Sequence, residues 1–295
     1  MNVLVTGGDG FVGSYLCDEL ASRGHDVTAL SRDPDGSKFS EDVATAMGDV
    51  TAYDSIEGAF EGQDIVVNLV ALSPLFQPSG GNDEHFEIHL GGTENAVRAA
   101  KEHGVSKILQ MSALGADPDG PTAYIRSKGQ AEEVVRDSSL DWVIFRPSVV
   151  FGGGGEFVSF TEQLTPPFVA PLPGGGKTRF QPIWVADLAP MLADAVEEDD
   201  HVGELYEVGG PEVLTLADVA RMAQRAKGRS VSIVPVPMAL AEIGLSAAGP
   251  ISFVPFSADQ ARSLQMDNTV SGNDIRAFGV DESDLQTLGE YLDVR

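Results

Sequence analysis

Along the first half of the chain, short runs of apolar and β-branched residues alternate with longer amphipathic stretches. The short runs predict strands that are buried on both faces, and the longer stretches predict helices. The predicted strands are Val3 to Val5, His25 to Ser31, Val43 to Met47, Asp64 to Leu72, Lys107 to Ser112 and Asp141 to Arg146. This repeated alternation indicates an α/β fold with a doubly wound parallel sheet and right-handed crossovers.

The first predicted strand runs directly into a glycine-rich turn. Thr6 is followed by Gly7, Gly10 and Gly13, and a predicted helix extends from Phe11 to about Arg23. Gly7 permits a tight turn, Gly10 lets the backbone approach a pyrophosphate, and Gly13 lets helix and strand pack closely. Because free N–H groups at a helix N-terminus attract phosphate, the pattern predicts a dinucleotide site. The alternative is a glycine-rich turn that holds no ligand.

The end of the second strand bears on the choice of dinucleotide. An acidic residue at this place binds the ribose hydroxyls of NAD. Here Ser31 and Arg32 occupy it, and an arginine pairs with a 2′-phosphate that a carboxylate would repel. We therefore expect NADP in preference to NAD, although Asp33 argues the other way. Asp49, after the third strand, is expected either to accept from the adenine amino group or to cap the helix that starts near Tyr53.

Beyond Pro147 the pattern changes, because glycine- and proline-rich loops replace the regular alternation. Residues 183–196 predict a helix and residues 204–208 a seventh strand of the same sheet, and Thr215 is expected to cap a further helix. The expected domains are an NAD(P)-binding Rossmann domain at 1–150, to which 183–210 returns, and a smaller substrate or partner lobe at 151–182 and 211–295.

The charge balance excludes some classes of partner. The chain has 45 acidic and 19 basic residues and a net charge of −26, which argues against nucleic acid because phosphate binding requires basic surfaces. Lysine accounts for only six residues. An acidic, lysine-poor surface keeps a protein soluble in concentrated salt, so we expect a high-salt cytosol. An ordinary acidic protein is the alternative.

The sequence also bears on the compartment. Cys17 is the single cysteine, so an internal disulfide is impossible, and we expect it to be a small buried apolar residue in a reducing cytoplasm. We expect no signal peptide, because the given sequence runs directly into a predicted strand without a basic segment before it. Residues 231–256 are apolar but interrupted by prolines and an acid, which favours a packed segment over a membrane span. Peripheral membrane attachment stays open.

Two pairs of chemically capable side chains are four residues apart on predicted helices. His85 and His89 lie on the helix predicted over 83–103, but no third ligand is evident, so we expect no metal site. Tyr124 and Lys128 share a face of the helix that follows the fifth strand. A nearby ammonium and the nicotinamide charge would lower the pKa of the phenol, so that Tyr124 acts as general acid or base while Lys128 holds the ribose. The alternative is a surface helix with a solvated lysine.

Four motifs resemble those of the extended or atypical short-chain dehydrogenases/reductases. They are Thr6-Gly7-x-x-Gly10-x-x-Gly13, Tyr124-x-x-Ser127-Lys128, Arg146-Pro147 and Trp184-Val185-x-Asp187. The resemblance covers nearly the whole chain and implies a Rossmann domain that holds NAD(P), a C-terminal lobe that closes over substrate, and an acid/base role for Tyr124. The residues expected to bind the cofactor are Thr6, Gly7, Gly10, Phe11, Val12, Gly13, Ser31, Arg32, Asp49, Val50, Val70, Ala71, Leu72, Lys128 and Pro147.

Two positions depart from this family pattern. The catalytic serine or threonine of the family follows the fifth strand, and here it aligns with either Ser112 or Ala113. In the helix motif Asn-x-x-Gly-Thr, His89 replaces the asparagine. The segments 112–116 and 206–212 are most similar to the branch that contains the NADPH-binding accessory subunit of respiratory complex I.

Two hypotheses follow from the sequence. In the first, the chain is an NAD(P)-dependent oxidoreductase or epimerase/dehydratase in which Tyr124 is the acid/base, Lys128 assists it and Ser112 contacts substrate. The small-molecule substrate is a nucleotide sugar or an apolar carbonyl or hydroxyl compound. In the second, the chain is a cofactor-loaded structural or redox-sensing protein that docks on a respiratory complex. The sequence leaves the oligomeric state open.

Overall fold

The computed structural model describes residues 1–40, 42–166, 168–236, 262–263 and 265–294. The strands are β1 (Asn2–Thr6), β2 (Asp26–Ser31), β3 (Val43–Met47), β4 (Ile65–Asn68), β5 (Lys107–Met111), β6 (Asp141–Pro147), β7 (Val150–Phe151), β8 (Phe168–Pro173), β9 (Arg179–Phe180), β10 (Ile183–Trp184), β11 (Leu205–Val208), β12 (Leu214–Thr215) and β13 (Val231–Val236). The helices are α1 (Phe11–Ser22), α2 (Tyr53–Ile56), α3 (Asp83–His85), α4 (Gly92–Glu102), α5 (Ala123–Arg136), α6 (Glu156–Leu164), α7 (Val185–Glu197), α8 (Leu216–Ala226) and α9 (Leu288–Tyr291). A π-helical segment, Phe86–Gly91, joins α3 to α4.

The main sheet has seven strands in the order β11-β6-β5-β4-β1-β2-β3. Strands β1 to β6 pair in parallel, and Val3 at the centre faces Val27 on one side and Ile65 on the other. The direction of strand succession reverses between β1 and β4, which is where open α/β sheets bind ligands at the carboxyl ends of their strands. The predicted doubly wound parallel sheet is therefore confirmed.

The chain divides into two compact units. The first comprises Met1–Leu72, Gly80–Pro147 and Val185–Glu207, and the second comprises Ser73–Ser79, Ser148–Trp184 and the described residues from Val208 onward. In the first unit, Leu4, Val66 and Ile108 of neighbouring strands pack in one apolar core with residues of α4. The assignment of a cofactor lobe and a substrate lobe stays a prediction.

The second unit is built from short strand pairs and helices. Strands β8 and β13 pair in parallel, and β9 and β12 pair antiparallel. Thr215 caps α8 as predicted, through a reciprocal pair of hydrogen bonds with Asp218. The first six residues of the apolar segment 231–256 form β13, and the rest of it lies outside the described residues. Within the described ranges, no helix combines the length and the hydropathy that a membrane span requires.

Three local predictions differ from the structure. Strand β4 ends at Asn68, so residues 69–72 leave the sheet. Residues 183–184 form β10 against β7 before α7 begins, because they pair with Val150–Phe151. Asp49 does not cap α2, since its carboxylate accepts from the N–H and hydroxyl of Thr51 at 3.0 and 2.8 Å and the N-cap of α2 is Ala52.

Cys17 has the buried position that the sequence predicts. Its thiol lies 3.8 Å from the carbonyl oxygen of Gly8, and burial raises its pKa to about 12. The thiol therefore stays protonated at neutral pH and packs as a small apolar side chain.

A buried carboxylate joins α5 to the sheet. Glu132, which is 1% exposed, accepts two hydrogen bonds from the guanidinium of Arg146 on β6, at 2.8 and 2.7 Å. It also accepts from Arg136 at 2.9 Å and from the hydroxyl of Ser112. Because this fork of hydrogen bonds compensates a charge that lies away from water, it holds the helix in one position on the sheet.

We predict that Glu132→Gln lowers the free energy of unfolding by about 3 kcal/mol, because it removes the buried carboxylate that accepts both close hydrogen bonds of Arg146 and leaves only Glu207, at 3.5 Å, as an ion-pair partner of that guanidinium in the described part of the chain. Urea unfolding measures this loss. The matched control is Glu133→Gln, an exposed acid at the next position of the same helix, which should change the unfolding free energy by less than about 0.5 kcal/mol. Equal effects of the two variants would contradict the prediction.

Candidate functional site

The turn after β1 brings the start of α1 against the strand. Gly7 adopts a left-handed backbone, with φ of +75°, and its N–H donates to the carbonyl of Leu30 at 2.8 Å. A Cβ atom on Gly13 would lie 2.2 Å from the carbonyl oxygen of Gly7, so a larger residue there would displace backbone. Gly10 is the N-cap of α1, and among the described residues no side chain caps this helix end. The first N–H groups of α1 are therefore suited to receive a phosphate.

A cleft of about 490 Å³ lies at this end of α1, and its walls come from the end of β2, from the segments that follow β1, β2, β3 and β4, and from the π-helical segment. Most of the predicted cofactor residues line it: Gly7, Gly10, Phe11, Val12, Gly13, Ser31, Arg32, Asp49, Val50, Val70, Ala71 and Leu72. The cleft is also lined by Asp33, which the sequence places next to Arg32 as an argument against NADP, and by residues that the sequence analysis missed: Asp9, Leu30, Gly48, Leu69 and Ile88. All except Ile88 adjoin predicted members in the sequence, so only Ile88 lacks a sequence signal.

Three of the predicted cofactor residues do not line this cleft. The hydroxyl of Thr6 is buried and donates to the side chain of Asn68 at 2.6 Å, which ties β1 to β4 beneath the cleft. Lys128 and Pro147 are buried elsewhere in the first unit. Their predicted contacts with the cofactor stay predictions.

Charged and polar groups surround the part of the cleft at the end of β2. Arg32 is exposed, and the hydroxyl oxygen of Ser31 is buried without a hydrogen-bond partner among the described residues. Lys38, which the sequence analysis did not single out, donates to the carbonyl of Asp9 at 3.0 Å. The unpartnered hydroxyl of Ser31 and the guanidinium of the next residue, Arg32, are together suited to an anionic oxygen of a ligand.

Tyr124 lies in the first turn of α5 and is half-buried. The rings of His85 and His89 pack edge-on against its ring, with centroids 5.7 and 5.3 Å away. Burial raises the pKa of Tyr124 above its ordinary value. This is opposite to the lowered pKa that the sequence led us to expect, because loss of hydration disfavours the phenolate.

Lys128 lies one turn further along α5 and is 1% exposed. Its ammonium donates to the carbonyl of Met111 at the end of β5, at 3.0 Å. Burial lowers the pKa of Lys128 to about 8, against the opposing effect of the Glu132 carboxylate. The group is therefore mainly charged at neutral pH and titrates just above it.

Ser112 has a different environment from the one predicted for a substrate contact. Its hydroxyl is buried and donates to Glu132, the carboxylate that also binds Arg146. The hydroxyl thus belongs to the network that fixes α5, which does not support a role toward substrate. The next residue, Ala113, is buried and has no hydroxyl group to offer.

The two histidines of the predicted pair are both buried, and their ring centroids are 5.3 Å apart. The nitrogens of His89 are bonded to the N–H of Leu72 and to the hydroxyl of Ser127, both at 2.9 Å. In the described part of the chain, no group of three histidine, cysteine or acidic side chains is placed to hold a metal ion.

The comparison with known families agrees with this geometry. A sequence model of a family described as NAD(P)H-binding matches residues 7–168, which is more than half of the chain. The chain therefore belongs to this NAD(P)H-binding family. Its resemblance to the short-chain dehydrogenase/reductase superfamily, which includes the NAD-dependent epimerases and dehydratases, is confirmed.

Two curated relatives have different functions. The chain is 29% identical over 302 residues to the mitochondrial NADH dehydrogenase (ubiquinone) 1 alpha subcomplex subunit 9 of Arabidopsis thaliana, a match that covers 94% of this chain and 73% of the plant protein. It is 26% identical over 277 residues to the chloroplastic divinyl chlorophyllide a 8-vinyl-reductase of Cucumis sativus, which covers 88% of this chain and 65% of the reductase.

A solved structure supports the fold. The UDP-glucose 4-epimerase of Thermus thermophilus, in complex with NAD, superposes with a TM-score of 0.66 and 23% identity over 90% of this chain and 97% of the epimerase. At that identity the likeness shows the fold alone.

We predict that Gly13→Ala weakens the binding of NADPH at least tenfold, or about 1.4 kcal/mol. The added methyl group would collide with the carbonyl of Gly7 and push the N-terminus of α1 away from the phosphates. Isothermal titration calorimetry measures the affinity. Gly58→Ala is the matched control, because a Cβ atom at Gly58 meets nothing within 4 Å. Unchanged affinity in a folded Gly13→Ala variant would contradict the role of the turn.

Proposed function

We propose that the protein is an NADP-dependent oxidoreductase, or an epimerase/dehydratase that recycles its cofactor, with Tyr124 as general acid/base and Lys128 as its assisting cation. One observation carries this proposal. His89 receives a hydrogen bond from Leu72 in the wall of the cleft and packs against the ring of Tyr124, so that a single side chain separates the cleft wall from the proposed acid/base.

The residues fit a division of labour in carbonyl reduction. When bound, the nicotinamide would supply the hydride. Tyr124 would donate the proton to the carbonyl oxygen, and its raised pKa keeps the phenol protonated, which is the form that such a donor requires. The charged Lys128, one turn further along the same helix, would stabilise the phenolate that remains after the transfer. In the reverse direction the phenolate accepts the proton of a substrate hydroxyl.

The end of β2 favours NADP over NAD. Arg32 lines the cleft and its side chain is exposed to solvent. The preceding residue, Ser31, also lines the cleft, and its hydroxyl has no hydrogen-bond partner among the described residues. A 2′-phosphate would pair with the guanidinium and accept from the hydroxyl. Asp33 also lines the cleft and would oppose the phosphate charge, so Arg32 must outweigh it.

The proposed substrate is a small molecule with a carbonyl or hydroxyl group, either a nucleotide sugar or an apolar compound.

The net charge of −26 supports a high-salt setting for the protein. Assays should therefore be run in molar KCl, where screening removes most of the repulsion between the acidic side chains.

A second candidate function is that of a cofactor-loaded structural or redox-sensing protein associated with a respiratory complex. The hydrogen bond from the Ser112 hydroxyl to Glu132 favours this second function, because a site with no free serine hydroxyl to assist Tyr124 at the substrate carbonyl is poorly equipped for turnover. The similarity to a plant NADH dehydrogenase subunit is in keeping with it.

Arg32→Ala is predicted to weaken NADP binding at least tenfold and to leave NAD binding within about threefold, because only NADP carries the phosphate that Arg32 would pair with. Parallel calorimetric titrations with both dinucleotides measure the ratio. Arg221→Ala, which removes an exposed arginine of the second unit paired with Asp218, should leave both affinities unchanged. An equal loss for both dinucleotides would contradict the proposed choice of NADP.

Tyr124→Phe is predicted to lower kcat at least 100-fold while NADPH affinity stays within twofold, because general acid catalysis typically contributes about 10²- to 10⁴-fold. The assay follows NADPH consumption with apolar carbonyl compounds and the interconversion of nucleotide sugars by NMR. Tyr53→Phe, at the start of α2, is the control. A wild-type chain that binds NADPH tightly, yet converts none of these compounds, would support the structural or redox-sensing function instead.

A further inference from the structure

His89 is placed where the helix of the proposed acid/base meets the wall of the cofactor cleft. It lies in the π-helical segment Phe86–Gly91 and is 1% exposed. Its Nε2 atom accepts from the backbone N–H of Leu72 at 2.9 Å, and its Nδ1 atom lies 2.9 Å from the hydroxyl oxygen of Ser127. Both nitrogens of the imidazole are therefore engaged.

The partners determine which nitrogen carries the proton. A backbone N–H is always a donor, so Nε2 must present its lone pair to Leu72. The neutral ring then carries its proton on Nδ1 and donates it to Ser127. The hydroxyl of Ser127 in turn donates to the carbonyl of Tyr124 at 2.9 Å. All hydrogens in this chain point the same way, from the cleft wall to the first turn of α5.

The surroundings favour the neutral ring. Burial, reinforced by the charges of Lys128 and His85, holds the pKa of His89 well below its ordinary range. A second proton would sit on Nε2 and face the N–H of Leu72, which would break the hydrogen bond. Because both nitrogens are used within the protein, His89 has no free position from which to exchange a proton with substrate.

We propose that His89 is a positioning residue for the reaction, whose neutral Nδ1-protonated imidazole links Leu72 to Ser127 and so fixes the ring of Tyr124 relative to the cofactor cleft. This inference rests on the proposed acid/base function of Tyr124. The imidazole of His89 contacts both parts of the site. It accepts a hydrogen bond from Leu72 in the cleft wall, and its ring packs edge-on against the ring of Tyr124, with the centroids 5.3 Å apart. A shift of this side chain would move the phenol and the cleft wall relative to each other.

The first test is spectroscopic and does not depend on turnover. Nitrogen-15 NMR of histidine-labelled wild-type protein at pH 7.5 should show His89 as the neutral tautomer with its proton on Nδ1, which is the less common one in free histidine. The signal is assigned by its loss in His89→Gln. A neutral ring that carries its proton on Nε2, or a charged ring, would overturn the hydrogen-bond chain.

The second test concerns positioning. We expect His89→Leu to lower kcat at least tenfold, with NADPH affinity within threefold, and to move the ¹³Cζ resonance of Tyr124. His89→Gln, whose amide keeps one acceptor and one donor, should recover most of the lost kcat. The matched control is His201→Leu, because His201 is also buried and its Nδ1 atom is also bonded to a hydroxyl, that of Tyr206, away from the cleft residues.

The outcomes separate this inference from the proposed function. If the wild type converts substrate and both His89 variants, correctly folded, match it in kcat, the inference fails and the proposed function stands. If the wild type converts nothing, the proposed function fails, and the Tyr124 resonance then decides whether His89 positions the phenol. An unmoved resonance in His89→Leu overturns the inference, as would an equal shift in His201→Leu. If His89→Leu does not fold, His89→Gln and the wild-type tautomer carry the test.

Discussion

The contact between Gly13 and the carbonyl of Gly7 is the constraint on which the cleft depends. It allows the first turn of α1 to lie directly against the end of β1, closer than any side chain would permit. This contact determines the direction in which the N-terminus of α1 points and the position of the cleft at the ends of β1 and β4. The proposed binding of phosphate groups at this turn therefore depends on the absence of a side chain at Gly13.

A second constraint is electrostatic and joins α5 to β6 in the half of the sheet that contains β4, β5 and β6. The helix that carries Tyr124 and Lys128 has a buried carboxylate, Glu132, whose charge is matched by Arg146 of the neighbouring strand. Lys128 lies on the same helix within the influence of that carboxylate, which opposes the lowering of its pKa by burial. The network thus both positions the helix and helps its lysine to keep a proton at neutral pH.

The sequence predicts the sheet and most of the cleft lining because those features are local. A continuous apolar run identifies a doubly covered strand, and the glycine spacing identifies the turn that follows it. The role of Glu132 was not predicted, because next to Glu133 it resembles part of an exposed acidic helix face. Its partner Arg146 is also 14 residues away in the sequence and lies on a different element. The hydrogen-bond partners of His89 were not predicted either. His89 lies in a π-helical segment, which does not follow the 3.6-residue period used to assign residues to the faces of a helix.

The engagement of Ser112 by Glu132 has a consequence for how this chain can diverge. Three side chains, from the end of one strand, the middle of a helix and the end of the next strand, share one buried charge. Replacement of the acid alone leaves Arg146 with the more distant Glu207, and replacement of Arg146 alone leaves the buried carboxylate with Arg136 as its remaining ion-pair partner among the described residues, so either single change weakens the network. We therefore expect Glu132 and Arg146 to be replaced together in descendants of this sequence. Ser112 contributes only a neutral hydroxyl, so its replacement should be tolerated before theirs.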